Sequence, residues 1–281
     1  MDFKEKAYDF VPLAEQQSYN KNNIQQYSGH IDAEINCETE IHIGSGYKEL
    51  DDKGKFLVYK TIRYGEKTII PGSSLKGVVR QIAEAASCSC AKDSKKCSTC
   101  ITCDMFGSMG HASKIIFSDF ISDNAATKIR NLNQQFEPKK VTPGCYKFYK
   151  VKNSSYKNEI SITDQSVQVE VVNSGTVFKG RIHFKKLTEE QLSLLMYSLG
   201  LNEKSNERIN LKIGGFKNSG IGEVNINVTR FDVRNLNQTP AALAGSYVNM
   251  ATANKSGIAK INKILKSQQQ SGGGQTYEKQ N

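Results

Sequence analysis

Nowhere in its 281 residues does the chain hold the roughly 18 uninterrupted apolar residues that a membrane helix requires. The opening MDFKEKAYDF also lacks the apolar core of a secretory signal, so a cytoplasmic protein with no membrane partner is expected. Proline is scarce, at five residues, which excludes a collagen-like fibre. With 38% hydrophobic and 23% charged residues, the chain can bury a core and is not disordered throughout. Its length suits one large or two small domains. Acidic residues are the minority charge: 28 Asp+Glu against 38 Lys+Arg leave a formal net charge of +10. That surplus favours an anionic partner, most simply nucleic acid, although acidic lipid or protein would meet the same field.

Cysteine, in contrast, is concentrated. Five of the seven, Cys88, Cys90, Cys97, Cys100 and Cys103, lie in CSCAKDSKKCSTCITC. In a reducing compartment such a cluster is not a disulfide framework, and Cys-x-x-Cys spacing lets two thiolates converge on one tetrahedral ion. Cys97, Cys100 and Cys103 form two overlapping pairs, with Cys88 or Cys90 as the fourth ligand. A four-thiolate zinc site has no open position, so its expected role is structural. Cys37 and Cys145 stand alone.

The apolar pattern places the elements. Ile31, Ala33, Ile35, Cys37, Ile41 and Ile43 alternate with polar residues, predicting one strand with His42 on its polar face. Pro71-Gly72-Ser73-Ser74 leads into Leu75, Val78, Val79 and Ile82, a serine-capped amphipathic helix ending near Ala86. Lys114 to Phe120 reads as strand, as does Gln165 to Phe184, broken by the turn Asn173-Ser174-Gly175. Thr188-Glu189-Glu190-Gln191 is a capping box before Leu192, Leu195, Met196 and Leu199, with Gly200 at the helix end. Gly222 to Val233 is a last strand. Strand, helix, strand, strand, helix, strand is the α+β, ferredoxin-like order of the RNA-recognition motif, whose open sheet face is available to single-stranded RNA. Beyond Asn235 only Ile258, Ile261, Ile264 and Leu265 repeat helically before a Gln- and Gly-rich end, so residues 235–281 are expected to form a mobile tail.

Three motifs then stand in order: Ile70-Pro71-Gly72-Ser73-Ser74-Leu75-Lys76-Gly77, the cysteine cluster ending in Met105-Phe106-Gly107-Ser108, and Gly214-Gly215-Phe216-Lys217-Asn218-Ser219-Gly220-Ile221-Gly222. Together they resemble the repeat-associated mysterious protein (RAMP) superfamily, specifically the backbone subunits of type III CRISPR effector complexes. The likeness runs from about Ile31 to Val233. Tyr8-Asp9-Phe10-Val11-Pro12-Leu13 also looks like the opening of the subtype D and fused-effector branches. The resemblance implies an N-terminal extension over 1–30 and a ferredoxin-like palm over 31–234, carrying a zinc loop at 87–107 and a thumb hairpin at about 122–165. It further implies binding of CRISPR guide RNA and target RNA, head-to-tail stacking with other effector subunits, and target cleavage by an aspartate with a divalent cation such as magnesium.

Against that background, Gly44, Ser45 and Gly46 can present N–H groups to a phosphate. Ser73, Ser74 and the following helix start form a second anion site, with Lys76 and Arg80 one turn apart. Gly215, Lys217 and Asn218 bring backbone and ammonium close to a guide strand. Lys128 to Asn158 holds eight Lys or Arg against one acid, Glu137. Phe136, Tyr146, Phe148, Tyr149 and Tyr156 are interleaved with these cations, a pattern that suits stacked bases and paired phosphates. Lys139, Lys140, Tyr146, Lys147 and Phe148 are its candidate contacts. The catalytic candidates are Asp51 and Asp52 in Lys48-Glu-Leu-Asp-Asp-Lys-Gly, where the resemblance implies the cleaving carboxylate; Asp-Asp-Lys-Gly also reads as a plain β-turn. His42 and His111 are the candidate general bases of a guide-processing nuclease.

Overall fold

The computed structural model describes residues 6–20, 24–51, 53–90, 97, 99–135, 142–151, 166–202 and 208–266. Its strands in chain order are β1 (Tyr8–Pro12), β2 (Gln26–Cys37), β3 (Gly44–Leu50), β4 (Leu57–Thr61), β5 (Arg63–Tyr64), β6 (Lys67–Ile70), β7 (Ile115–Phe117), β8 (Phe120–Ser122), β9 (Thr127–Asn133), β10 (Cys145–Tyr149), β11 (Ser166–Val172), β12 (Val177–Thr188), β13 (Leu211–Lys212) and β14 (Glu223–Val233). The helices are α1 (Gly72–Ala86), α2 (Ile101–Phe106), α3 (Glu189–Ser198), α4 (Pro240–Ser246) and α5 (Lys255–Leu265).

Alternation makes β2 the centre of the larger sheet. Ile31, Ala33, Ile35 and Cys37 are buried on one face, while Asp32, Glu34 and Asn36 lie on the other. β2 pairs antiparallel with β12 on one side and β14 on the other; β7 and β8 pair beyond β12, and β13 beyond β14. α1, followed by α2, connects β6 to β7, and α3 connects β12 to β13. Both helices bury apolar stripes in one core, α1 through Leu75, Val79 and Ile82 and α3 through Leu192, Leu195 and Met196. Each such side chain contributes about 1.5–3 kcal/mol by leaving water. The chain is a mixed α+β protein with predominantly antiparallel sheets.

The α3 capping box is present: Thr188 Oγ1 accepts from Gln191 N, and Gln191 returns the bond to the Thr188 N–H. The predicted serine cap of α1 is not. Pro71 precedes the helix, Ser73 and Ser74 are exposed in its first turn, and neither side chain caps it. Instead Asp119 Oδ1 accepts the Gly72 N–H at 2.8 Å, a carboxylate at the positive end of the helix. Gly72 is required by close approach, since a Cβ there would lie 2.2 Å from Phe117 O.

Four other expectations are corrected. The first strand ends at Cys37, and Ile41 only bridges to Val172. The predicted turn Asn173-Ser174-Gly175 does separate two strands, β11 and β12, and it carries the chain from a second, four-stranded sheet, ordered β3-β4-β11-β9, into the larger one. Residues 235–266 are no mobile tail, because Leu243, Tyr247, Ile258, Ile261 and Leu265 are buried in the main core; residues 267–281 lie outside the described residues. A boundary at residue 30 would cut through β2, and the preceding β1 is paired along its length with β10. For the same reason the described parts of the expected thumb do not form one hairpin, since β9 pairs with β11 and β10 with β1.

Candidate metal centre and nucleic-acid interface

The Sγ atoms of Cys90, Cys97, Cys100 and Cys103 lie within 4.8 Å of one another and all four residues are buried. Cys90 and Cys103 are 3.5 Å apart and Cys90 and Cys100 3.7 Å. Sulfurs about 2.3 Å from a central zinc at tetrahedral corners would be separated by roughly 3.8 Å, so this donor set fits such an ion. Cys90, rather than Cys88, would then be the fourth ligand. Cys88 stays outside, its N–H donating to Thr252 O and its carbonyl accepting from Gln17 N. Cys100 caps α2 and Cys103 lies within it, which fixes two donors on one short helix.

The surroundings of this knot reassign Arg80. Its Nε donates to Glu84 at 2.7 Å, its Nη1 to Gly107 O at 2.8 Å, and its Nη2 lies 3.7 Å from Cys103 Sγ. Glu84 also accepts from Tyr146 Oη at 2.7 Å. Arg80 therefore pins the cysteine loop to α1 rather than sitting free for a phosphate, and such partners orient metal ligands. Gln16 Nε2 reaches Cys97 Sγ at 3.3 Å, and Tyr19 N donates to Thr99 O.

The glycine-rich loop is held open by its own chemistry. Gly214 takes φ 77°, and a Cβ there would meet His42 O at 2.2 Å. Gly215 N donates to that same carbonyl at 2.8 Å. Phe216 sits in the left-handed region at φ 53°, a placement that costs a bulky residue about 1–3 kcal/mol and is retained by edge contacts to His42 and Tyr59. Lys212 is buried and its Nζ donates to Gly220 O and Ile221 O, closing the loop from below; burial, partly opposed by Glu223, brings its pKa down to about 8. Burial also lowers the pKa of Lys217, and the buried Asn218 Oδ1 has no hydrogen-bond partner among the described residues. His42 is buried, not turned to solvent. Its Nδ1 lies 2.8 Å from Glu170 O, and desolvation depresses its pKa despite that bond, which removes it from the candidate general bases. His111 is exposed in a turn bonded to Ser108.

The basic region is partly self-compensated. Lys128 and Arg130 both pair with Glu40. Phe148 is buried in the core and Tyr146 is bonded to Glu84, so neither is the open stacking residue expected. Lys147 is better placed, with its Nζ 3.9 Å from the Tyr8 ring centroid and 4.8 Å from that of Tyr149. Lys139, Lys140, Phe136 and Tyr156 lie outside the described residues. Lys76 is half-buried on α1, its pKa lowered by burial and then by Arg80.

Gly44-Ser45-Gly46 is a bulged strand start, not an open anion nest: Ser45 Oγ donates to Lys60 O and accepts from Tyr47 N. Asp51 closes the β3–β4 turn, its Oδ1 accepting from Lys55 N and Phe56 N, and these N–H groups lower its pKa. Asp52 lies outside the described residues. Among the described residues, the four cysteines are the one group of three or more Cys, His, Asp or Glu able to hold a metal. The open face of the larger sheet carries Lys179 paired with Glu34 and Arg181 with Asp32, beside Asn36 and Asn225. These compensated charges are unlike the aromatic platform of an RNA-recognition motif.

Sequence reasoning named Tyr149 among the aromatics interleaved with the cations but missed Tyr8 as its neighbour and as a partner of Lys147. The alternation of Tyr8 with Phe10, and of Lys147 with Tyr149, was the available strand signal. No helix is long and apolar enough to cross a membrane among the described residues. A model of the RAMP superfamily matches residues 34–225. No curated protein matches the chain.

Proposed function

The chain belongs to the RAMP superfamily, and from that premise we propose that it is a guide-RNA-binding backbone subunit of a type III CRISPR effector complex. The observation that carries this reading is the glycine-rich loop, where burial lowers the pKa of Lys217 and the next residue, Asn218, has a side-chain oxygen with no hydrogen-bond partner among the described residues. A strand that presents phosphate and sugar groups would satisfy both. The order β14-β2-β12 with β7 and β8 beyond supports a ferredoxin-like palm. The thumb is then the region of about residues 122–165 that the resemblance implies. In this reading the subunit stacks head to tail with other effector subunits in the cytoplasm, holds a guide RNA that pairs with target RNA, and serves antiviral defence, and the Tyr8–Leu13 likeness favours the subtype D or fused-effector branch.

The test is to purify the tagged chain from cells that carry a CRISPR array and sequence the RNA that comes with it. A uniform set of spacer-derived RNAs is expected. Mixed cellular RNA would instead make the protein a zinc-bearing RNA-binding module outside CRISPR.

A second reading adds cleavage of the bound target through Asp51 or Asp52. It is favoured by the position of Asp51 at the β3–β4 turn, the loop in which the resemblance implies the cleaving carboxylate. No metal step is assigned to it. Asp51→Ala combined with Asp52→Ala is expected to abolish target cutting while guide RNA still co-purifies. Cutting at the unchanged rate would end the assignment. Processing of guide precursors is disfavoured by the burial of His42.

A further inference from the structure

The family match begins at residue 34, so β1 lies wholly outside it. Yet β1 is zipped antiparallel to β10 over five residue pairs, Tyr8 opposite Tyr149 through Pro12 opposite Cys145. This pairing sets three side chains on one face. Lys147 Nζ stands over both tyrosine rings, whose centroids are 6.3 Å apart and inclined at 71°. The glycine-rich loop reaches the same place from the other side, with Lys217 Nζ 5.8 Å from the Tyr149 centroid. Tyr8, Lys147, Tyr149 and Lys217 are each partly exposed. Two amphipathic rings and two ammonium groups are thus gathered from three distant parts of the sequence. The open sheet face, in contrast, offers charges already paired with each other.

Resting on the RNA-binding reading above, we infer that β1 completes the nucleic-acid interface: the inclined rings of Tyr8 and Tyr149 present a face and an edge to a base of bound single-stranded RNA, and Lys147 and Lys217 hold its flanking phosphates. Aromatic faces accept any base and ammonium groups any phosphate, so the contact is tolerant of sequence. A purely internal cation–π staple between Lys147 and the rings would need neither Lys217 nor exposure of the tyrosines.

The test uses the full-length, zinc-loaded protein with a fluorescein-labelled single-stranded RNA and the same strand made abasic. Tyr8→Ala and Tyr149→Ala are each expected to weaken binding of the RNA roughly 5- to 100-fold and to leave binding of the abasic strand unchanged. Tyr8→Phe should bind as the parent does. Lys147→Gln should weaken both strands and reduce the salt dependence by about 0.7 per lost phosphate contact. Equal effects of Tyr8→Ala on the two strands would overturn the inference in favour of a structural staple. If the alanine variants do not fold, photo-crosslinking of the parent protein to 5-iodouridine RNA decides: adducts on Tyr8 or Tyr149 support the platform, and adducts elsewhere alone refute it. Failure of the parent to bind either strand would instead remove the RNA-binding reading itself.

Discussion

Replacing Cys100 by serine is expected to release the metal and destabilise the protein by about 4 kcal/mol or more, the range reached when a structural metal is lost. Four buried thiols within 4.8 Å have no other arrangement that satisfies them once ionised, and a zinc ion would supply most of the order of this loop. The damage should spread along the bonds that leave the knot. Gln16 and Tyr19 tie the N-terminal segment to Cys97 and Thr99, and Arg80 ties α1 to Gly107. Metal analysis of reduced protein should give one equivalent of zinc for the parent and for Cys88→Ser, and almost none for Cys100→Ser. Limited proteolysis should then cut within residues 13–20 of the metal-free protein. A Cys88→Ser protein without zinc would overturn the choice of Cys90.

The other large effect lies at Glu170. Its carboxylate is buried and accepts from Arg63 Nη1 at 2.9 Å, Arg63 Nη2 at 2.8 Å, Thr61 N at 3.0 Å and Thr127 Oγ1 at 3.2 Å, with Lys60 Nζ 3.4 Å away. Glu170 belongs to the four-stranded sheet and Arg63 to the larger one, so this cluster is a polar rivet between sheets. Glu170→Ala leaves the Arg63 charge and the Thr61 N–H without their acceptor and should cost about 3–5 kcal/mol. Burial raises the carboxyl pKa, but Arg63, the Thr61 N–H and Lys60 outweigh it and hold the value at about 2, below the ordinary 4.5. A lowered carboxyl pKa contributes stability that is fully present above pH 4.5 and is lost as pH falls towards 2, here about 3 kcal/mol. Urea unfolding of the parent and of Glu170→Gln at pH 7, 4 and 3 measures it. The parent should lose its advantage over the variant across that range; a constant difference would sink the account.

These two clusters differ in how far the sequence betrays them. The cysteine knot is legible because its ligands are close in the chain, and only the choice between Cys88 and Cys90 needed three dimensions. The Glu170 rivet joins residues 107 positions apart, and a lone glutamate in Gln-Val-Glu-Val-Val reads as the polar side of a strand. α3 was legible through its capping box, a local device. His42 was misread because Ile41 and Ile43 continue the phase of β2 after the strand has ended at Cys37, so the pattern hid a break. Phe148 was misread because charge density drew attention from the alternation that buries it. α5 carries its apolar repeat plainly, but its partners, α1 and β1, lie more than 160 residues away, and the polar composition that follows it suggested mobility.

The meeting of β1 with α5 has a topological consequence. Asp9 pairs with Lys260 at 2.6 Å, and Asn254 Nδ2 donates to Pro12 O. Among the described residues the first strand and the last helix are therefore neighbours, and a peptide bridging these two elements would nearly close the described fold into a ring. A circular permutant opened at a surface turn elsewhere could keep the strands of the core intact.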